Sequence, residues 1–149
     1  MTREIWEEIV RHGAYVEELD WYALDKNGSI GVFIAIMNAP IADKVKLSYD
    51  DYIALKHFID SLPKSTSFLL TTTEKGNFLD WTQYAEKGLF AFDFQDIHRP
   101  TPKYQYDLIA QPNSPLNIKD INIPINLLET FVQLNCDFLD GDVKVELVE

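Results

Sequence analysis

One cysteine, Cys136, stands among 149 residues. No internal disulfide can form, so the fold must rest on packing and hydrogen bonding, and this usage fits a reducing cytoplasm. No histidine lies near Cys136 in sequence, and it reads as a small buried hydrophobe rather than a nucleophile. Long apolar runs are also missing. None approaches the ~20 residues of a membrane span, and the opening T-R-E-I-W-E-E has no signal-peptide hydrophobic region. A cytoplasmic protein is the expectation. Basic residues are scarce: 13 lysines and arginines stand against 24 aspartates and glutamates, a formal charge of −11. Such a surface repels nucleic acid and anionic membrane and favours cationic partners, while also serving solubility. Gly28 and Gly31 do not make a phosphate loop, because no third glycine follows and no helix begins there. No serine sits in a G-x-S-x-G context.

What is present is a dense apolar complement, 46% hydrophobic and 13% aromatic. That suits one packed domain spanning residues 1–149, burying roughly two-thirds of the unfolded surface. The most informative stretch runs from Asp20 to Met37, D-W-Y-A-L-D-K-N-G-S-I-G-V-F-I-A-I-M. Asn-Gly between two apolar runs predicts a hairpin turn in which both residues take positive φ. On the second run Ile30, Val32, Ile34 and Ile36 point one way and Phe33, Ala35 and Met37 the other. A strand apolar on both faces belongs inside a sheet.

Helix signals frame this hairpin. Thr2 as N-cap, Ile5, Trp6, Ile9 and Val10 at helical spacing, and Gly13 as a stop predict a first helix. Ser48 with Asp50 and Asp51 opens a second helix, whose Tyr52, Leu55, Ile59 and Leu62 stay apolar until Pro63. A short helix is expected over 77–87 and a last one from Pro124 through Val132. Strands are expected over 67–73, over 89–94 with Phe90, Phe92 and Phe94 on a half-buried face, over 104–110, and over 143–148. The pattern predicts an α+β fold, a mostly antiparallel sheet with three to four packed helices.

Chemistry-bearing clusters are sparse. Asp93, Asp96 and His98 could converge at a strand end as ligands or acid–base groups, which would make a small enzyme. A zinc site would want a further histidine or cysteine, and turn aspartates commonly bond their own backbone. His57 with Asp60 reads as a helix-surface pair. Asp137, Asp140 and Asp142 around Gly141 lack the closing glutamate of a calcium loop and read as a hairpin turn. No metal or other cofactor is expected. The remaining cluster is Glu17, Glu18 and Asp20 before Trp21-Tyr22. Carboxylates beside large aromatics are a composition of protein-binding hot spots, in which Trp21 would anchor and the charges steer; the alternative is a solvated loop followed by core aromatics.

The run D-W-Y-A-L-D-K-N-G-S-I-G-V-F, with A-P-I after it and Y-D-L-I-A-Q-P-N-S-P-L later, resembles a group of small uncharacterised bacterial proteins. A small acidic α+β domain is also similar to immunity proteins that neutralise bacterial toxins, including those of the SUKH superfamily. That likeness, with the charge of −11 and the lack of a catalytic constellation, points to a non-enzymatic protein-binding module whose partner is a basic protein such as a toxin; a structural or regulatory domain is the other non-enzymatic reading. The first helix is not followed by the P-x-x-Y/F-x-x-F/L segment of that superfamily, so no functional residue carries over.

Overall fold

The computed structural model describes residues 1–15 and 17–149. Helix α1 (Arg3–His12) is capped by the Thr2 hydroxyl, which accepts from the Ile5 N–H at 3.2 Å, and Gly13 ends it at φ 87°. Helix α2 (Tyr49–Ser61) starts the same way, with the Ser48 hydroxyl accepting from the Asp51 N–H. Leu62 turns extended ahead of Pro63, which disfavours helical backbone in the residue before it. The two helices meet through the Trp6 and Tyr49 rings, edge to face at 5.8 Å.

Strands β1 (Leu19–Leu24) and β2 (Ile30–Ala35) form the expected hairpin, in register from Leu19 opposite Ala35 to Leu24 opposite Ile30. Its turn differs from the expectation. Only Gly28 takes positive φ; Asn27 does not. The Gly28 N–H donates to the Asp25 carbonyl, and Asp25 and Ser29 pair across the next position. This is the three-residue hairpin loop, a type I turn closed by a left-handed glycine bulge, rather than the two-residue form. Asp25 selects it. Its carboxylate accepts from the Asn27 and Ser29 N–H groups, each at 2.9 Å, holding the turn from inside.

The sheet runs β3 (Phe68–Leu70), β5 (Gln105–Pro112), β4 (Phe90–Asp93), β2, β1, β6 (Val132–Gln133), with β7 (Val143–Lys144) also on β5. It is mostly antiparallel, as expected, but β2 with β4 and β1 with β6 are parallel. Every β2 residue is buried. Strand β4 is not half-buried: Phe90, Ala91 and Phe92 are all enclosed. Ala91 meets Ala110 and Ala85 of α3 (Leu79–Glu86), where small side chains let the helix lie close to the strands. The C-terminal quarter departs furthest from expectation. Helix α4 (Ile125–Leu128) is a single turn, with Phe131 beyond it and Val132 in β6. Strand β7 stops after Lys144, and 145–147 is a 3-10 turn. Gly141 does not join two paired strands; 138–140 is a 3-10 turn between β6 and β7, which lie on different partners.

Asp25 is 3% exposed and its second carboxylate oxygen accepts from the Phe138 N–H at 2.9 Å. It therefore ties the hairpin to the C-terminal segment. Asp25→Ala should cost about 3 kcal/mol at ~1 kcal/mol for each lost bond, read as a lower urea midpoint with unchanged slope. Ile34→Asp should prevent folding altogether, because an unpaired charge between β1 and β4 costs several kcal/mol against a total of about 5–15. Soluble Ile34→Asp protein with the parental melting curve would contradict this sheet order.

Candidate functional site

The carboxylates of Glu17 and Glu18 lie on the exposed approach to β1, and Asp20 is its second residue. The fold adds two groups from distant segments: Asp80 in the first turn of α3 and Asp93 at the end of β4. Asp93 lies opposite Ile34 and Asp107 in the sheet. Among the described residues, none of Glu17, Glu18, Asp80 and Asp93 makes an ion pair.

Their proximity registers in their acidities. The Glu18 carboxyl is raised by desolvation, then by the charges of Asp20 and Asp80. Asp93 is pushed up to about 7, first by burial and then by Glu18 and Asp107, against hydrogen bonds from Gln95 and the Phe94 backbone. Asp20 is raised chiefly by burial, which the hydrogen bond from the Tyr84 hydroxyl at 2.6 Å partly offsets. Burial, then the charge of Asp20 and this same contact, push the Tyr84 phenol well above its ordinary value. Asp20, Asp80 and Tyr84 line a cavity of about 340 Å³ that also meets Lys64 and Lys87. Those lysines are committed elsewhere, Lys64 to Glu86 at 2.8 Å and Lys87 to the Ile59 and Asp60 carbonyls. Lys56 partly offsets the charge of Asp20, whereas Glu18, Asp80 and Asp93 have no ion-paired cation among the described residues.

Trp21 is not the anchor the sequence proposed. Its ring is completely enclosed, stacked on Phe33 at 4.4 Å, with Nε1 donating to the Tyr106 hydroxyl. Asp20 and Trp21 are neighbours on one strand and must point to opposite faces. Glu18 stays beside Asp20, whereas Glu17 lines a separate cavity with Glu4, Glu8 and His12 at α1, and Asp20 is hydrogen-bonded rather than free.

Asp93, Asp96 and His98 are not brought together. Asp96 is occupied as a loop brace, accepting from the Lys103 and Tyr104 N–H groups and pairing with Arg99 at 3.2 Å. Arg99 also pairs with Asp107. His98 faces a polar cleft of about 570 Å³ beside Lys75, Lys103 and Trp81, whose lining includes neither Asp93 nor Asp96. His57 is exposed, and Asp60 takes Lys56 at 2.8 Å instead. Asp137 caps the Leu139 N–H, and Asp142 accepts from Leu108 N and Gln105 Nε2. Among the described residues no group of three His, Cys, Asp or Glu side chains could hold a metal ion. The Cys136 thiol is pushed up to about 11 by burial and by Asp25, Asp137 and Asp140, which is unsuited to nucleophilic work.

Comparison with family models, with curated proteins and with solved structures returns no match. Among the described residues no helix is long and apolar enough to cross a membrane.

The acidity of Asp93 has a stability consequence with a definite sign. Its folded value of about 7 lies above the ordinary 3.8, so the folded chain binds the proton more tightly than the unfolded one. Folding stability attributable to this group therefore falls as pH rises between about 4 and 7. Asp93→Asn removes that penalty. The variant should be more stable than the parent by about 1–2 kcal/mol at pH 8, after discounting for partial solvation, and should match it near pH 4. Urea titrations at the two pH values measure the difference; a variant less stable than the parent at pH 8 would show that the Asp93 charge is compensated.

Proposed function

We propose that this chain is a non-enzymatic protein-binding module that captures a cationic protein at the corner formed by Glu18, Asp80 and Asp93, with exposed Glu17 on its approach. The observation that carries the reading is that among the described residues no cation is ion-paired with these carboxylates, while burial and then a neighbouring carboxylate raise both Glu18 and Asp93. A lysine or arginine brought there relieves repulsion already present in the free protein, so part of the electrostatic gain needs no reorganisation. Trp21 plays no direct part in this surface; its role is to hold β1 rigid behind the carboxylates.

The finer reading is an immunity-type protein that neutralises a bacterial toxin. Its support is the likeness of a small acidic α+β domain to such proteins, together with the net charge of −11. A toxin that cuts nucleic acid carries a basic cleft, and an acidic corner occupies such a cleft in place of substrate. A cytoplasmic location follows from that role. An enzyme built on Asp93, Asp96 and His98 draws no support from their separate surroundings.

The test is affinity capture from a lysate of the native host at low and moderate salt, with a Glu17→Lys/Glu18→Lys double variant alongside. Both positions are exposed, so the fold should tolerate the change. The parent should recover a basic protein whose association slows once salt brings the Debye length to about 10 Å, and the variant should lose most of that recovery. Binding should also strengthen from pH 6 to pH 8, because a docked cation favours ionised Asp93 and expels its proton. No partner at either salt, or equal recovery by parent and variant, would overturn the reading and leave the charge as a solubility device.

A further inference from the structure

Strand β3 is the edge of the sheet beyond β5, and its three residues Phe68, Leu69 and Leu70 are 37%, 53% and 42% exposed. Three consecutive exposed apolar residues on a sheet edge are exceptional, since edges are normally blunted by charge, proline or a bulge. From Ser67 to Thr73 this edge carries no charged residue and no proline.

The hydrogen-bond register states which backbone groups are free. Asn113 N–H donates to the Ser67 carbonyl and Thr71 N–H to the Ile109 carbonyl, with Leu69 opposite Gln111 between them. Positions 67, 69 and 71 therefore spend their backbone groups on β5. In an antiparallel ladder the alternate residues, Phe68 and Leu70, present theirs outward.

We propose that a second copy of this chain pairs with that edge, β3 against β3, antiparallel about a two-fold axis through Leu69. This register is the one the free groups permit. Phe68 then exchanges backbone hydrogen bonds with Leu70 of the partner subunit, and Leu70 with Phe68 of the partner subunit. The two Leu69 side chains meet at the axis in a non-hydrogen-bonded pair, the position where opposing side chains approach most closely. A two-fold interface must be self-complementary, and this segment is so in backbone and apolar side chains, with no charge from Ser65 to Thr73 to oppose its own copy. The acidic corner does not take part, so the dimer is independent of the proposed capture of a cationic protein.

Sedimentation equilibrium on the full chain tests this from about 1 to 500 µM, a range that brackets a micromolar edge-strand dimer. Two variants locate the interface. Leu69→Lys places a charge on an exposed side chain at the axis. Leu70→Pro removes an outward-facing N–H while leaving the bonds of positions 69 and 71 to β5 intact, a place where edge strands accept proline. The parent should form a dimer, and each variant should raise the dissociation constant at least about 100-fold with an unchanged far-UV spectrum. Should Leu70→Pro fail to fold, Leu69→Lys alone carries the comparison. A parent that stays monomeric at about 500 µM, or a dimer that Leu69→Lys leaves intact, overturns the proposal.

Discussion

A stack of three rings crosses the middle of the sheet, and the neighbouring elements are arranged around it. Trp21 lies on Phe33 at 4.4 Å and Phe33 on Phe92 at 4.6 Å with 7° between planes, joining β1, β2 and β4. Tyr106 meets the stack edge-on at 5.1 Å from Phe33, and Phe138 closes over Phe33 and Phe92. Offset and edge-to-face contacts of this kind each add roughly 0.5–1.5 kcal/mol beyond area burial. The stack also dictates a glycine. A Cβ on Gly31 would come within 2.8 Å of the Phe138 ring, so Phe138 can lie over β2 only because that position has no side chain. The hydrogen bond from Phe138 N–H to Asp25 then fixes the C-terminal segment at the turn of the same hairpin.

Local signals made much of this legible, and long-range ones did not. Thr2 and Ser48 cap their helices because the evidence for a cap lies within three residues of it. The central placement of β2 was legible because it is apolar on both faces, which no edge strand tolerates in water. The parallel pairing of β2 with β4 was not, since a parallel partner arrives through a crossover and leaves no turn signature. The C-terminal quarter misled for a related reason. Val143, Val145 and Leu147 alternate as a strand would, yet the backbone leaves the extended form at Val145, whose N–H is taken by the Tyr104 carbonyl. The Asn-Gly turn was placed correctly but typed wrongly, because the buried Asp25 carboxylate, an interaction with residue 138, favours the longer loop.

The acidic corner was half legible. Glu18 and Asp20 are two residues apart, so their grouping could be read directly, while Glu17 turns to α1. Alternation separates Trp21 from Asp20, but Tyr22 on Asp20's own face is buried too, so it is the covering of β1 on both faces that encloses the ring. That Asp80 and Asp93 join Glu18 and Asp20 was not legible, because nothing in spacing relates residue 18 to residues 80 and 93. They arrive through the packing of α3 across the sheet and the parallel placement of β4 beside β2.

The position of Asp93 bears on what the excess negative charge is for. Carboxylates serve solubility when they are exposed, and most of this chain's acids are exposed. Asp93 is not. Held near 7 by burial and by Glu18 and Asp107, it contributes only part of a charge at neutral pH while its desolvation weakens the fold. A residue selected for solubility alone gains nothing from that arrangement, and asparagine would serve the sheet better there. The cost is recovered if a cation completes the corner, because the same burial that disfavours an isolated carboxylate strengthens its attraction to a partner. The edge at β3 poses the converse problem: it offers unpaired backbone and apolar side chains with no charge among them. One corner therefore lacks a countercharge and one edge lacks a strand, and because they are separate surfaces of opposite character, a single partner of either kind leaves the other vacant.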